Sequence, residues 1–310
     1  MIKDYSVKGI CPVCSGSDIE RHGVFRYRNP IFANTFRVVC RSCQMIFASP
    51  LPSDDDLANY NASYFETAHG GLTKSPIGES FFRGVASLRL SYLKKFLDRH
   101  NINCRNVLEF GPGPGYFAKC WLEQDHQIIY SAVETDHASH IYLKHLGVNL
   151  IRSSDQIQSD VVVMSHVLEH VPNPVEFIKT ATQGLVPGGA LFIEVPCQDW
   201  AHKLLDEPHL LFFDKNPMRR MLKNLGFTDI ELAYFGPTIR ELKSSSKIRS
   251  FLMRVRAKLI SLGVLAPFSI KKKGMDGIID PLTRAVISPF KPHIESDEPA
   301  WWLRVIARKV

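Results

Sequence analysis

The stretch LEFGPGPGYF, residues 108–117, decides the fold class of this chain. It stands where the first predicted strand meets the first predicted helix, and Gly111, Gly113 and Gly115 let the backbone turn sharply and approach a ligand closely. The spacing is not the dinucleotide fingerprint G-x-G-x-x-G, because residue 116 is Tyr. Taken alone, the turn is also compatible with a plain strand-to-helix connection.

Strands and helices alternate around this turn from residue 105 to about 236. The alternation predicts an α/β fold with a doubly wound, mostly parallel sheet. Ligands in such sheets bind beyond the carboxyl ends of the strands. A last strand at 301–310 closes the domain. The seven predicted strands are NVLEF, QIIYSAVE, VNLIRS, DVVVMS, ALFIEVP, FTDIELAYF and WWLRVIARK.

Three further segments follow in a recognisable order. SAVETD ends the second strand with Glu134, nineteen residues after Gly115, where an acid can accept both hydroxyls of a ribose, and Asp136 is the rival for that role. GLVPGGALFIEVP, 184–196, carries a Pro-Gly-Gly turn into the fifth strand, and LKNLGF, 222–227, precedes an antiparallel close. Together with the glycine turn, they resemble the class I S-adenosylmethionine (SAM)-dependent methyltransferases.

This resemblance implies a Rossmann-like, seven-stranded sheet with SAM as cofactor. By position, Glu109 and the three glycines would border the methionine part of SAM, and Glu134 would hold the ribose. The residues after the third strand would lie near the adenine, and those ending the fourth would flank the sulfonium. The candidate cofactor residues are Glu109, Gly111, Gly113, Gly115, Glu134, Ser154 or Asp155, Ser165 and His166.

Residues 1–50 carry two C-x₂-C pairs separated by β-like runs such as FRVV. Two tight knuckles that supply two thiolates each are typical of a structural zinc ribbon, and the alternative is two unrelated thiol pairs. So small a unit cannot build a sufficient core, so bound Zn²⁺ would supply folding energy. The expected metal ligands are Cys11, Cys14, Cys40 and Cys43; the isolated Cys104, Cys120 and Cys197 are expected to be packed.

Residues 51–104, between the ribbon and the core at 105–236, are predicted to form a helical linker or cap. Ser53 and the acids after it, in LPSDDDLANY, are typical of a helix start. A zinc ribbon followed by this segment resembles methyltransferases of polysaccharide, lipopolysaccharide and antibiotic-sugar pathways. That resemblance places Tyr60 and Tyr64 at the active site; the alternative is packing within the linker.

Residues 237–300 form a predicted insertion before the last strand. Between Arg240 and Lys273, ten Lys or Arg stand against one acid, Glu241. Residues 247–262 predict a basic amphipathic helix. This helix is a candidate for peripheral contact with acidic membrane or for a lid over the acceptor, but we favour an ordinary helix packed on the sheet.

The stretch SHVLEHVPNP, 165–174, follows the fourth strand and ends on two prolines. Residues three and four apart share a face of a helical turn, so its histidines and glutamate can converge. They can cap the turn, act as an acid–base group, or hold a divalent ion with a later histidine. The third arrangement resembles plant-type small-RNA 2′-O-methyltransferases, although a histidine replaces their first glutamate. The candidate catalytic residues are His166, Glu169, His170 and His209, with His202 less favoured, and a second metal is a candidate at Glu169, His170 and His209.

Composition sets the remaining expectations. The formal charge of +7 is modest, and the chain shows no signal-peptide run and no apolar stretch of about 18 residues, so we expect a cytoplasmic protein. The leading hypothesis is SAM-dependent methylation of a small molecule or of a nucleotide- or lipid-linked sugar. Alternatives are metal-dependent RNA 2′-O-methylation, although nucleic acid is not the favoured partner, and a non-enzymatic zinc-ribbon interaction protein. The sequence does not determine the oligomeric state.

Overall fold

The computed structural model describes residues 9–60, 76–152, 157–243, 251, 255, 258, 259 and 295–310. Ser154, Asp155 and Tyr64 lie outside these ranges, as does most of the predicted helix at 247–262. The strands, numbered along the chain, are β1 (Ile19–Val24), β2 (Phe36–Cys40), β3 (Ile46–Ser49), β4 (Asn106–Phe110), β5 (Ile129–Val133), β6 (Asn149–Leu150), β7 (Ser159–Ser165), β8 (Leu185–Pro196), β9 (Leu211–Phe212), β10 (Phe227–Thr238), β11 (Glu295–Ser296) and β12 (Ala300–Lys309). The helices are α1 (54–60), α2 (Pro76–Arg99), α3 (Tyr116–Leu122), α4 (His137–His145), α5 (Pro174–Ala181), α6 (Lys215–Asn224) and α7 (Ile239–Lys243).

The main sheet has the strand order β11-β10-β12-β8-β7-β4-β5-β6. The five strands from β8 to β6 are parallel, whereas β12, β10 and β11 run antiparallel to their neighbours. The central strand β7 consists mostly of consecutive apolar residues, as expected for a strand of a sheet with both faces covered by other elements. The expected count of seven strands is wrong for the described residues, since the two-residue β11 pairs with the edge of β10 and makes eight.

The expected Pro-Gly-Gly turn lies inside β8 and not before it. β8 pairs with β7 at Leu185 and again from Ala190, with an irregularity between them. Gly188 has a φ of +79°, and a Cβ on Gly189 would stand 2.8 Å from the Asp160 carbonyl oxygen. The glycines therefore allow a bulge that keeps β8 on the sheet.

The sheet separates two apolar cores. On one side, α2, α3 and α4 bury side chains such as Leu90, Trp121 and Leu143. On the other side, α5 and α6 pack in one continuous cluster with the N-terminal sheet. Asn173 caps α5 by accepting a hydrogen bond from the Glu176 amide at 3.2 Å, so the proline that ends the preceding turn also begins a helix.

The cysteine-bearing N-terminal sheet has the order β1-β2-β3-β9. Its fourth strand comes from the loop after β8, and Phe47 of β3 pairs with Leu211 of β9. The unit predicted at 1–50 therefore completes its sheet with a strand from the core region, 105–236. Buried side chains of this unit and of that region pack in one cluster.

In the predicted linker, the Ser53 hydroxyl accepts the Asp56 amide at 3.2 Å, as expected of a helix cap. In the predicted insertion, α7 is helical, as are residues 251, 255, 258 and 259. No helix within the described ranges is long and apolar enough to cross a membrane.

Candidate functional site

A cavity of about 470 Å³ opens at the carboxyl ends of β4, β5 and β7. The glycine turn lines it through Gly111 and Gly113, whose φ angles of +64° and +52° lie in the region that glycine adopts readily. A Cβ on Gly111 would stand 2.6 Å from Val167 Cγ2. Gly115, also expected here, does not line the cavity; its φ is +78°, and it begins α3 while packing against Leu143.

Glu134 spans the edge of this cavity. Its Oε2 accepts the Gly113 amide at 2.7 Å, and its Oε1 accepts the Asp136 amide at 2.7 Å. The rival Asp136 instead caps α4, because its carboxylate accepts the Ala138 amide at 3.0 Å and the Ser139 hydroxyl at 2.9 Å. Both carboxylates line the cavity, Glu134 while it holds the glycine turn and Asp136 while it caps α4.

Glu109 ends β4 on the cavity wall and is 2% exposed. The Tyr130 hydroxyl donates to its Oε2 at 2.7 Å. Burial raises the pKa of Glu109 to about 7, despite this hydrogen bond and the nearby Arg89. The carboxyl group is therefore poised to change charge near neutral pH, beside the expected methionine end of the cofactor.

His166 leaves β7 with a φ of +57°, an unusual conformation for a residue with a Cβ. Its Nδ1 lies 3.3 Å from Glu169 Oε1, and its Nε2 lies 3.5 Å from Glu194 Oε1. Burial lowers the pKa of His166, but the two carboxylates outweigh it and raise the pKa. His166 and Ser165 both line the cavity, as expected from their place at the end of the fourth strand.

Glu169, His170 and His209 come together beside the cavity, which His170 lines while Glu169 and His209 lie buried behind it. One ligand atom of each lies within 4.8 Å of the others, and the two imidazole centroids are 4.9 Å apart. Glu169 is 1% exposed, and neither carboxylate oxygen accepts a hydrogen bond of normal geometry within the described residues. Burial raises its pKa, but three imidazoles outweigh it, His166 foremost, and lower the pKa to about 2. An ionised, buried carboxylate flanked by imidazoles fits a divalent ion of the Zn, Mn, Fe or Co type.

Asp199 orients His209 within this cluster. Asp199 Oδ2 lies 2.5 Å from His209 Nδ1, and Lys203 Nζ lies 2.9 Å from the same oxygen. Burial raises the pKa of Asp199, but His209 and Lys203 outweigh it and hold the pKa below its usual range. An ionised Asp199 accepts a hydrogen bond from His209 Nδ1–H, which leaves His209 Nε2 to ligate an ion or accept a proton.

His170 differs from His209 in its surroundings. Burial lowers the pKa of His170 to about 4, so its ring is neutral at neutral pH. Two other candidates stand apart from the cluster. The less favoured His202 packs near Trp301 at 6.3 Å between ring centroids, and Tyr60 contacts Phe32 at 5.3 Å; neither lines the cavity.

The four N-terminal cysteines converge. Their sulfur atoms all lie within 4.8 Å of one another, with Cys11 and Cys43 at 3.5 Å and Cys14 and Cys40 at 3.5 Å. A tetrahedral Zn²⁺ with Zn–S bonds of about 2.3 Å needs sulfur separations of about 3.8 Å. The set therefore fits a closed structural zinc site.

Sequence reasoning missed Asp199, Arg89 and Glu194 at this site. Glu194 lies within β8, Asp199 follows β8, and Arg89 lies on α2. Asp199 sits next to the αL residue Gln198, in a loop with no recognisable motif. Arg89 and Glu194 are 105 positions apart, so only packing of α2 on the sheet could reveal that they pair.

The chain is similar to several known proteins. Solved structures similar to this chain include the plantazolicin methyltransferase BpumL (13% identity, 82% of this chain and 96% of that one, TM-score 0.47). Others are SAM-dependent methyltransferases from Archaeoglobus fulgidus (20% identity, 71% and 94%, TM-score 0.42) and Thermotoga maritima (13% identity, 74% and 100%, TM-score 0.42). No curated protein matches the chain.

Residues 81–232 match the family model described as a methyltransferase domain. The matched range contains the glycine turn, Glu134 and the Glu169–His170–His209 cluster. The protein is a SAM-dependent methyltransferase. The non-enzymatic alternative is therefore set aside.

Proposed function

We propose that the protein transfers the methyl group of SAM to a hydroxyl of a small carbohydrate acceptor, such as a nucleotide- or lipid-linked sugar. The observation that carries this proposal is the Asp199–His209 pair beside the cavity, joined by His170 and Glu169. A sugar hydroxyl must lose its proton as it is methylated, and this pair supplies a base at that position.

SAM supplies an electrophilic methyl group on its sulfonium when bound. Glu134, whose carboxylate accepts the Gly113 amide, would hold its ribose hydroxyls, and Ser165 and His166 would lie beside the sulfonium. Fixing the methyl group and the hydroxyl in line provides much of the rate enhancement in such transfers.

His209 is the proposed base. Its Nδ1 proton is held by Asp199, so Nε2 presents a lone pair, and the Asp199 carboxylate stabilises the imidazolium that forms. Burial lowers the pKa of His170 to about 4, so this ring is suited to orient the hydroxyl. If Glu169, His170 and His209 hold a divalent ion, Nε2 of His209 would be a ligand of that ion and not the base, and the ion would supply a Lewis acid that favours the ionised hydroxyl.

We also propose that Cys11, Cys14, Cys40 and Cys43 hold a structural Zn²⁺. The support is the convergence of the four sulfur atoms and the burial of three of the four cysteines. This zinc would have a structural role and no part in the methyl transfer, because a closed four-thiolate site has no open coordination position.

A second candidate is methylation of an RNA 2′-hydroxyl. The specific observation in its favour is the Glu169–His170–His209 cluster, which matches the metal-site arrangement that the sequence motif suggested. A small sugar is favoured because the ribbon lacks a conspicuous basic-aromatic surface beyond RHGVFRYR, 21–28.

The test is S-adenosylhomocysteine release from purified protein with a panel of nucleotide sugars and with an RNA oligonucleotide. A matched oligonucleotide with a 2′-deoxy 3′ end controls for the hydroxyl. We expect turnover with a nucleotide sugar and its loss in His209→Gln, while SAM binding persists. Turnover with RNA only, abolished by the deoxy end and by added salt, would reject the small-sugar proposal in favour of RNA.

The metal content is tested separately. Elemental analysis of wild type and His170→Ala, with divalent ions added back, should show one zinc in both. A second metal that is present in wild type and absent from His170→Ala would establish the ion at this cluster; its absence after add-back would leave His209 and Asp199 to act alone.

A further inference from the structure

Positive charge exceeds negative charge in a buried network at one end of the cavity. Glu194 on β8 is fully buried, and Arg304 on β12, its register partner, is 1% exposed. Arg304 Nε donates to Glu194 Oε2, and Arg89 Nε donates to Glu194 Oε1 at 2.7 Å. Two guanidinium groups therefore share one carboxylate. A charge buried without a counter-ion is costly, so this arrangement favours a further anion.

The donors of this network are not all used. Arg304 Nη2 is buried with no hydrogen-bond acceptor within the described residues. Arg89 contacts Glu194 through Nε and one Nη, and an arginine has five N–H donors in a fixed fork. The remaining donors of Arg89 are thus available to a second acceptor.

Arg89 faces the cofactor cavity. Among the described residues that line the cavity, Arg89 is the one Lys or Arg, and its side chain is 14% exposed. It shares the wall with Glu109 and His166, whereas Glu134 lies across the glycine turn at the end of β5. If Glu134 holds the ribose, the amino-acid end of SAM reaches the Arg89 side of the cavity.

The amino-acid end of SAM is a zwitterion, with an ammonium group and a carboxylate. Glu109 on this wall suits the ammonium group, and a carboxylate needs a cation with paired donors. We propose that Arg89 binds the α-carboxylate of SAM, while Glu194 and Arg304 hold its guanidinium in place. The inference concerns the cofactor and is independent of the identity of the acceptor.

The test uses two ligands that differ only in this carboxylate, SAM and decarboxylated SAM, with affinities measured by isothermal titration calorimetry. A charge-assisted pair predicts that wild type binds SAM about 10- to 100-fold more tightly. In Arg89→Gln this ratio should fall to about 1- to 3-fold, because the variant loses SAM affinity and keeps that for decarboxylated SAM.

Arg83→Gln is the matched control. Arg83 lies on the same helix, pairs with Glu123 at 3.3 Å on the surface, and does not line the cavity, so the ratio should stay as in wild type. Equal binding of the two ligands by wild type, or a wild-type ratio in Arg89→Gln, would overturn the proposal. So would an equal loss for both ligands in a variant that remains folded.

A second variant covers the case in which Arg89→Gln does not fold. Arg89→Lys keeps the charge beside Glu194 but lacks the fork that serves two carboxylates together. Its ratio should fall at least about threefold from wild type, whereas a wild-type ratio in Arg89→Lys would contradict the proposal.

Discussion

Asp206→Ala should weaken the attachment of the N-terminal sheet to the loop after β8. The Asp206 side chain is fully buried and accepts from the Arg26 backbone amide at 2.7 Å, from the Arg26 guanidinium at 2.6 Å and from Arg37 Nη1 at 3.1 Å. Removing one partner of a buried ion pair costs about 3–5 kcal/mol. Because the Arg26 side chain is 35% exposed and can be rehydrated, we expect the lower end, about 3 kcal/mol.

The consequence should extend to the active site, because the same loop carries His209. The His209 amide donates to the Asp206 carbonyl at 3.0 Å, and the Leu210 amide donates to the Glu169 carbonyl at 2.8 Å. The Ala48 amide of β3 donates to the Leu210 carbonyl at 2.8 Å. The N-terminal sheet thus holds the loop on both sides of His209, and loosening one side should also reduce turnover.

The assay is guanidinium unfolding followed by tryptophan fluorescence on zinc-loaded protein, with Glu20→Ala as the matched control. Glu20 also pairs with an arginine of the N-terminal sheet, Arg41 at 2.5 Å, but on the surface, so its loss should lower the unfolding free energy much less than the loss of Asp206 does. The reasoning fails if Asp206→Ala lowers the unfolding free energy no more than Glu20→Ala does.

Three further outcomes are expected. Cys40→Ser should lose the bound zinc, which elemental analysis would measure, and should unfold more readily. Cys104→Ser lies outside the cluster and should keep the zinc. Gly115→Ala should lower the unfolding free energy by about 1–3 kcal/mol, because its φ is +78° and the new Cβ would stand 2.8 Å from Leu143 Cδ2. Gly113→Ala has open space around the new Cβ and should lower the unfolding free energy by about 1 kcal/mol. Thermal denaturation would show whether the two variants differ. The pKa of Glu109 is about 7 in the folded protein against an ordinary 4.5, so the folded state binds the proton more tightly, and its contribution to stability is present below pH 4.5 and lost as the pH rises through 7. Glu109→Gln should flatten that decline in ligand-free protein, and denaturation midpoints that fall equally in both proteins would contradict this.

Local pattern predicted most of the fold. Seven apolar or alternating runs predict strands, and each overlaps an observed strand of the main sheet, because buried β-strands need such runs whatever surrounds them. VNLIRS predicts β6, although the observed strand is only two residues long, whereas β11 is not predicted, since a strand of two residues leaves almost no periodic signal. The bulge in β8 was missed because its Pro-Gly-Gly segment has the composition of a turn.

The sequence predicts the site residues that belong to one short motif, and it does not predict those that only folding brings together. The glycine turn, Glu134, the four cysteines and the His-x-x-Glu-His turn each show a spacing that has a chemical reason. His209 is predicted only as a histidine that follows later in the chain, and no sequence pattern predicts its partner Asp199.

The sequence by itself determined the order of strands and helices, the glycine turn after the first strand and the four thiols, because each depends on residues within one turn or knuckle. Only the tertiary structure brought Glu169 to His209, Arg89 and Arg304 to Glu194, and Asp206 to Arg26 and Arg37. These pairs lie between 40 and 180 positions apart, and burial in the packed chain is what makes each charge depend on its distant partner.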